Sequence, residues 1–176
     1  MKIIGFAAHN GQPKLVLKGD SCLLNGHKPM FIPDWTDSLG VRPCMILRVS
    51  RLGKEIAPKF ASRYYDAIAP GADFFSIDRW RDAMEQGNPW TEAFAFDYSL
   101  AIGEWIEDPE TLQKIWEEGH WIVSPEEAIV QASKLMTIRQ GDLIYIQDAQ
   151  MPEAVKRGDV VSFEINGEDK LHCKIK

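Results

Sequence analysis

Short runs of β-branched and apolar residues, each bounded by Gly, Pro, Asn or Asp, recur along most of the chain, and this spacing predicts strands. They fall at residues 3–7, 14–17, 44–49, 97–102, 142–147, 160–165 and 171–175. The last two carry the clearest alternation: Phe163 and Ile165, then Asn166-Gly167, then Leu171, Cys173 and Ile175 interleaved with His172, Lys174 and Lys176. That is a hairpin with one buried face. Three stretches have helical spacing and start signals. Ser124-Pro125-Glu126-Glu127 is a capping box opening a helix to about residue 135. Asp108-Pro109-Glu110 opens another through Leu112, Ile115 and Trp116, closed by Gly119. Ser76 caps a third, with Ile77, Trp80 and Met84 on its inner face. The expectation is a mostly β fold with a few short helices (α+β), one domain over residues 1–176, with residues 29–43 as a surface loop.

Composition narrows the function classes. The 176 residues, 45% of them hydrophobic, suffice for one core. The net charge of −6 and the absence of any lysine and arginine run disfavour a nucleic-acid partner. The apolar stretch after Lys2 breaks at His9, Asn10 and Gly11, and no run reaches the roughly 18 apolar residues a spanning helix needs. A soluble, cytoplasmic protein with no membrane partner is expected. Cys22, Cys44 and Cys173 are odd in number and contain no CxxC pair, so they read as buried free thiols. His27, His120 and His172 have no acid or cysteine at ligand spacing.

Four segments in fixed order carry a more specific signal: KLVLKGDSCLL (14–24), ILRVSRLGKEI (46–56) leading to ASRYYDAIAPGADFF (61–75), AFDYSLAIGEWI (95–106), and ASKLMTIRQGDLIYI (132–146) followed by VKRGDVVSFEINGEDKLHCKI (155–175). Together they resemble the fumarylacetoacetate hydrolase family, over nearly the whole chain and most specifically at 133–141 and 158–176. The resemblance implies a mixed β-sheet roll, a homodimer with Trp35 and Trp90 as exposed apolar contacts, and hydrolase, isomerase or decarboxylase chemistry on C–C bonds of small oxo (diketo) acids. In that family a strand of the form Y-E-x-E-L-A-V-V-I-G supplies two carboxylates and an A-N-D-V-S segment a third. Three oxygens on one face suit Mg2+ or Ca2+, which would stabilise an enolate.

With GKEI (53–56) set against the family's G-R-N-I, the first carboxylate falls on Arg42, the second on Cys44 and the third on Asp73. An arginine cannot ligate a cation, and a thiol prefers softer metals. Lys18 matches the lysine of F-L-K-P-P-S, and Asp97, Gly103 and Trp105 match a later motif whose preceding lysine is Phe94 here. Asp148 stands for the threonine that contacts the substrate carboxylate, where it would repel an anion. His9 lies near the family's early histidine, a general base, but in a turn with no room for a lid.

Two expectations of different class follow. One is a divergent oxo-acid hydrolase or isomerase with Asp73 as a remaining metal ligand, Lys18 orienting the substrate and His9 as base. The other is a catalytically degenerate member, kept as a binder of a small carboxylic or oxo acid or as an assembly subunit, with Arg42 neutralising Asp73 in an ion pair. A third reading, an unrelated β-rich domain, requires that Asp73 and Cys44 not face a common interior.

Overall fold

The computed structural model describes residues 1–25 and 27–176. Strands β1 (Lys2–His9) and β2 (Gln12–Gly19) form a hairpin because Asn10 and Gly11 both take positive φ, 49° and 70°, the twist that an Asn-Gly turn supplies at little cost. The chain continues through β3 (Leu23–Asn25), β4 (Leu39–Val49), β5 (Tyr65–Ser76), β6 (Leu100–Ile102), β7 (Leu143–Gln147), β8 (Glu153–Val155), β9 (Val160–Ile165) and β10 (Glu168–Lys174). The sheet runs β2-β1-β7-β4-β5-β6-β3, with β8 beside β4 and β9-β10 as a separate hairpin. The pairs β1·β7 and β3·β6 are parallel and the rest antiparallel, so the sheet is mixed.

Among the described residues four helices intervene: α1 (Ile77–Gln86), α2 (Thr91–Phe94), α3 (Pro109–Glu118) and α4 (Pro125–Leu135). The three cap residues read from the sequence act as caps, Ser76 accepting from the Arg79 amide, Asp108 from Thr111 and Ser124 from Glu127. The β9-β10 hairpin also forms as read, turning at Asn166-Gly167 and burying Leu171 and Cys173.

Alternate residues of the central strands split the apolar side chains between two cores. One face of the sheet gives Ile4, Phe6, Met45, Leu47, Ile68, Ile144 and Ile146 to a core closed by Ile129 and Ala132 of α4. Further along the same face of β4, Val41 joins Ala72 and Phe74 beneath Leu171, Cys173 and Ile175. The opposite face lines the interior of the roll, where Ile3, Cys44, Ile46, Leu100, Leu143 and Tyr145 meet. The cysteines are buried and free among the described residues. No helix among them is long and apolar enough to cross a membrane.

Several expectations need correction. The long central strand β5 gave no strand signal, and β4 begins at Leu39, so the 29–43 loop ends before it. Both strands carry a proline, normally an argument against a central position. Pro43 falls between the stretch of β4 paired to β7 and that paired to β8, and Pro70 falls between the Ile68–Ile106 bridge and the β6 pairing, where a missing N–H costs little. The strand expected over 97–102 is only β6, with Asp97 in an exposed turn. On α1 the buried residue is Ala83, and Met84 faces solvent. Trp90 is half-buried among aromatics, which leaves Trp35 as the exposed one of the two expected contact residues.

Gly5 shows how tightly the interior is filled. It pairs with Tyr145, and a methyl added there would overlap the tyrosine ring, whereas one added at Gly19 meets nothing. Gly5→Ala is therefore expected to lower unfolding free energy by about 3 kcal/mol in urea titration, and Gly19→Ala to stay within about 0.5 kcal/mol of the parent.

Candidate functional site

Residues directly opposed in an antiparallel pair share a face, and β4 and β5 set Arg42 opposite Asp73 and Cys44 opposite Gly71. On the other flank of β4, Cys44 faces Gln147 of β7, and Tyr145 lies two residues along on the same side. Lys18 reaches this face from β2, four strands from β5 in the sheet order. A flat sheet would put those strands about 19 Å apart. Instead the Lys18 Nζ lies 2.6 Å from Asp73 Oδ1, with both side chains wholly buried, so the sheet curls until the edge strand β2 faces β5 across the interior.

The Lys18 ammonium also donates to the Ser99 carbonyl (3.0 Å) and to Ser99 Oγ (2.9 Å), and that hydroxyl donates to the Phe94 carbonyl (3.0 Å). Gln147 Nε2 donates to Asp73 Oδ2 at 2.6 Å, while Gln147 Oε1 accepts from the Ala8 amide at 2.8 Å and from an Arg42 guanidinium nitrogen at 3.4 Å. Arg42 donates from the same nitrogen to the Ala8 carbonyl at 3.1 Å. The ion pair expected between Arg42 and Asp73 is thus replaced by one between Lys18 and Asp73, because the arginine points toward β1 and Gln147 while the lysine crosses the interior.

Electrostatics follow from this burial. Desolvation pulls the Arg42 guanidinium below its ordinary value, against the pull of the Asp73 and Asp148 charges. Burial pushes the Cys44 thiol well above its usual range, with Asp73 adding to the effect and Lys18 opposing it. That disfavours the thiolate, and a thiol is in any case a soft donor ill matched to a hard cation. Tyr145 is raised for the same first reason, with the Asp73 charge next, and its hydroxyl lies buried without a hydrogen bond of normal geometry.

Of the residues singled out in the sequence, Lys18, Arg42, Cys44 and Asp73 converge. His9 and Asp148 lie at the rim. His9 ends β1, hydrogen-bonded to Asn10 and edge-on to Trp90 at 5.0 Å. Asp148 accepts from the Gln150 amide, and its own amide donates to the Pro43 carbonyl. Beside the ion pair the interior is closed by aromatics: Phe94 stacks on Phe75 at 5.1 Å, with Trp80 and Trp90 packed against them. Sequence reasoning gave no role to Gln147, Ser99 or Tyr145. For Gln147 a signal exists, since it ends an alternation of Leu143 and Tyr145 that points into the interior, where an amide needs partners.

A hard divalent cation does not fit these donors. Among the described residues Asp73 is the lone carboxylate at the centre, its Oδ2 accepting from Gln147 and its Oδ1 in ion-pair contact with Lys18 without a hydrogen bond of normal geometry. Among the described residues no group of three His, Cys, Asp or Glu side chains is placed to hold a metal ion.

No family model matches the chain. The chain is 26% identical over 180 residues to the mitochondrial oxaloacetate tautomerase FAHD1 of Rattus norvegicus, covering 93% of this chain and 81% of that protein. The Bos taurus form is 24% identical over 185 residues, covering 96% and 83%. Among solved structures, fumarylpyruvate hydrolase from Pseudomonas aeruginosa in complex with Mn2+ and pyruvate superposes with a TM-score of 0.82 at 20% identity, covering 99% of this chain and 88% of that one. The 5-carboxymethyl-2-hydroxymuconate delta-isomerase from Mycobacterium smegmatis gives 0.80 at 17% identity, covering 99% and 78%. Sequence likeness along nearly the full length and the shared mixed roll agree: the chain is similar to the oxaloacetate tautomerases in sequence and to fumarylacetoacetate hydrolase family structures in fold.

Proposed function

We propose that this chain is a metal-independent member of its family, in which the interior that would serve divalent-cation chemistry on small oxo acids has become a structural ion-pair network. Its role is then non-catalytic, as a binder of a small carboxylic or oxo acid or as a subunit of an assembly. One observation carries the reading: the buried Asp73 carboxylate is held by an ion-pair contact from Lys18 to Oδ1 and a hydrogen bond from Gln147 to Oδ2, even though Oδ1 has no hydrogen bond of normal geometry. A cation would have to displace a lysine ammonium while sitting beside Arg42 and a protonated thiol. The P. aeruginosa relative, a hydrolase that holds Mn2+ and pyruvate, marks the chemistry from which this chain departs.

Melting curves with Mn2+, Mg2+ or Ca2+ at about 1–5 mM, with and without pyruvate or oxalate, are expected to show no cation-dependent rise. A rise of several degrees that disappears in Asp73→Asn would overturn the proposal. The reciprocal variant Arg42→Glu/Cys44→Glu restores acids at the two replaced positions. It is expected to melt lower than the parent without metal and to recover with Mn2+, and an unchanged response would show that these positions are not the equivalent ones.

The ion pair makes a separate prediction. Lys18→Met leaves the Asp73 carboxylate buried without a cation and is expected to cost about 3–5 kcal/mol in denaturant unfolding. Lys18→Met/Asp73→Asn should recover most of that loss, a non-additivity that two independent substitutions would not give.

A second reading is favoured by the survival of Lys18 and Asp73 in contact: metal-free keto–enol tautomerisation, with the lysine handling a proton next to a carboxylate in a desolvated setting. It predicts oxaloacetate tautomerisation that is unaffected by EDTA and lost in Lys18→Met/Asp73→Asn. Absence of any rate above the buffer background would exclude it.

A further inference from the structure

Basic residues form no run in the sequence, yet the fold gathers them. The loop at 50–56 is tied to 133–138 by paired hydrogen bonds between Gly53 and Ile138, by the Glu55 amide donating to the Ser133 carbonyl, and by the Lys54 ammonium donating to the Lys134 carbonyl. The Ser50 amide donates to the Tyr64 carbonyl, which adds the 3-10 turn Pro58–Arg63 to the same end of the molecule. Segments 50–64 and 133–141 carry Arg51, Lys54, Lys59, Arg63, Lys134 and Arg139 with one acid, Glu55; the adjoining Asp142, which accepts from the Arg139 amide, is paired with Lys2. Six cations and one acid give this end +5, which leaves −11 on the remainder of a chain of net −6. All six are exposed, and among the described residues none makes an ion pair.

Three large apolar side chains stand in the same patch: Leu52, 69% exposed, Leu135, 65%, and Phe60, 40%. Lys59 and Arg63 lie over the Phe60 ring, 4.9 and 5.2 Å from its centroid. We propose that this end of the molecule docks on an anionic membrane surface, Leu52, Leu135 and Phe60 entering the headgroup region while the six cations meet lipid phosphates and carboxylates. The charge division supports this occupant, since the −11 remainder is repelled by such a surface and holds the molecule with its basic end down. Nucleic acid fits less well: the patch has one exposed aromatic, already covered by its own cations, and two exposed leucines that base stacking does not use.

The test is co-sedimentation of the full chain with sucrose-loaded vesicles of phosphatidylcholine alone or with about 30% phosphatidylserine, at about 50 and about 300 mM salt. Partition onto anionic vesicles at low salt is expected to exceed that onto neutral ones by about tenfold or more, and to fall about tenfold at the higher salt. Arg51→Glu/Lys54→Glu and Leu52→Asp/Leu135→Asp should each remove most of the binding, and Lys114→Glu on α3 should leave it intact. All four changed positions of the two test variants are exposed, and a normal melting profile for each separates lost docking from lost folding. Equal partition onto both vesicle types, none onto either, or insensitivity to the patch variants would overturn the proposal. So would retention on an acidic peptide or an oligonucleotide without vesicle binding. A dimer that the same variants convert to monomer in sedimentation would assign the face to a second copy instead.

Discussion

A buried ion pair ties the edge strand β2 to β5 across the curled sheet, and much of the rest of the structure serves to keep it paired. Lys18 and Asp73 are wholly buried, and a charge in that setting is tolerable only with an opposite charge and with its remaining hydrogen-bonding capacity met. Ser99 serves the lysine and Gln147 the aspartate, and both are positioned by other elements. Ser99 in turn anchors α2 through the Phe94 carbonyl, so the aromatic layer covering the interior depends on the same lysine.

The interior is filled by pairing small residues with large ones. Gly5 leaves room for the Tyr145 ring, and Gly71 leaves room for the Cys44 sulfur and the Ile46 methyl. Such matching gives a rigid, dry surrounding for the charges, where any unpaired member costs most. A lysine and a glutamine supply the contacts to Asp73, and Arg42 braces the same glutamine.

Much of the fold was legible in the sequence wherever the signal was local. Ser124, Asp108 and Ser76 announce helices because each satisfies an amide within three residues, and Asn166-Gly167 fixes a hairpin by backbone geometry alone. β5 was hidden because both its faces are buried and it carries Ala, Gly and Pro rather than an alternation, with Pro70 tolerated only by a gap in its neighbour's pairing. The meeting of Arg42, Cys44 and Asp73 was legible through resemblance, since it needs only the register of two adjacent strands. The partner of Asp73 was not, because Lys18 arrives from four strands away and only the curl of the sheet brings it there. The basic end was hidden likewise, its six cations being split between segments some seventy positions apart in the numbering.

The parallel seam between β1 and β7 has a kinetic side. Ile3 pairs with Leu143, and the Lys2 amide bonds Asp142, 140 positions further along. The N-terminal hairpin therefore emerges from the ribosome long before the strand it must lie against exists. Until synthesis reaches that point, Ile3, Ile4, Phe6 and Val16 have no core to enter, and Lys18 stays hydrated. Closure of so long a loop before its contacts form makes for a slow, late step. Desolvation of the opposing charges belongs to the end of folding, and the exposed hairpin is the species a chaperone would be called upon to shield.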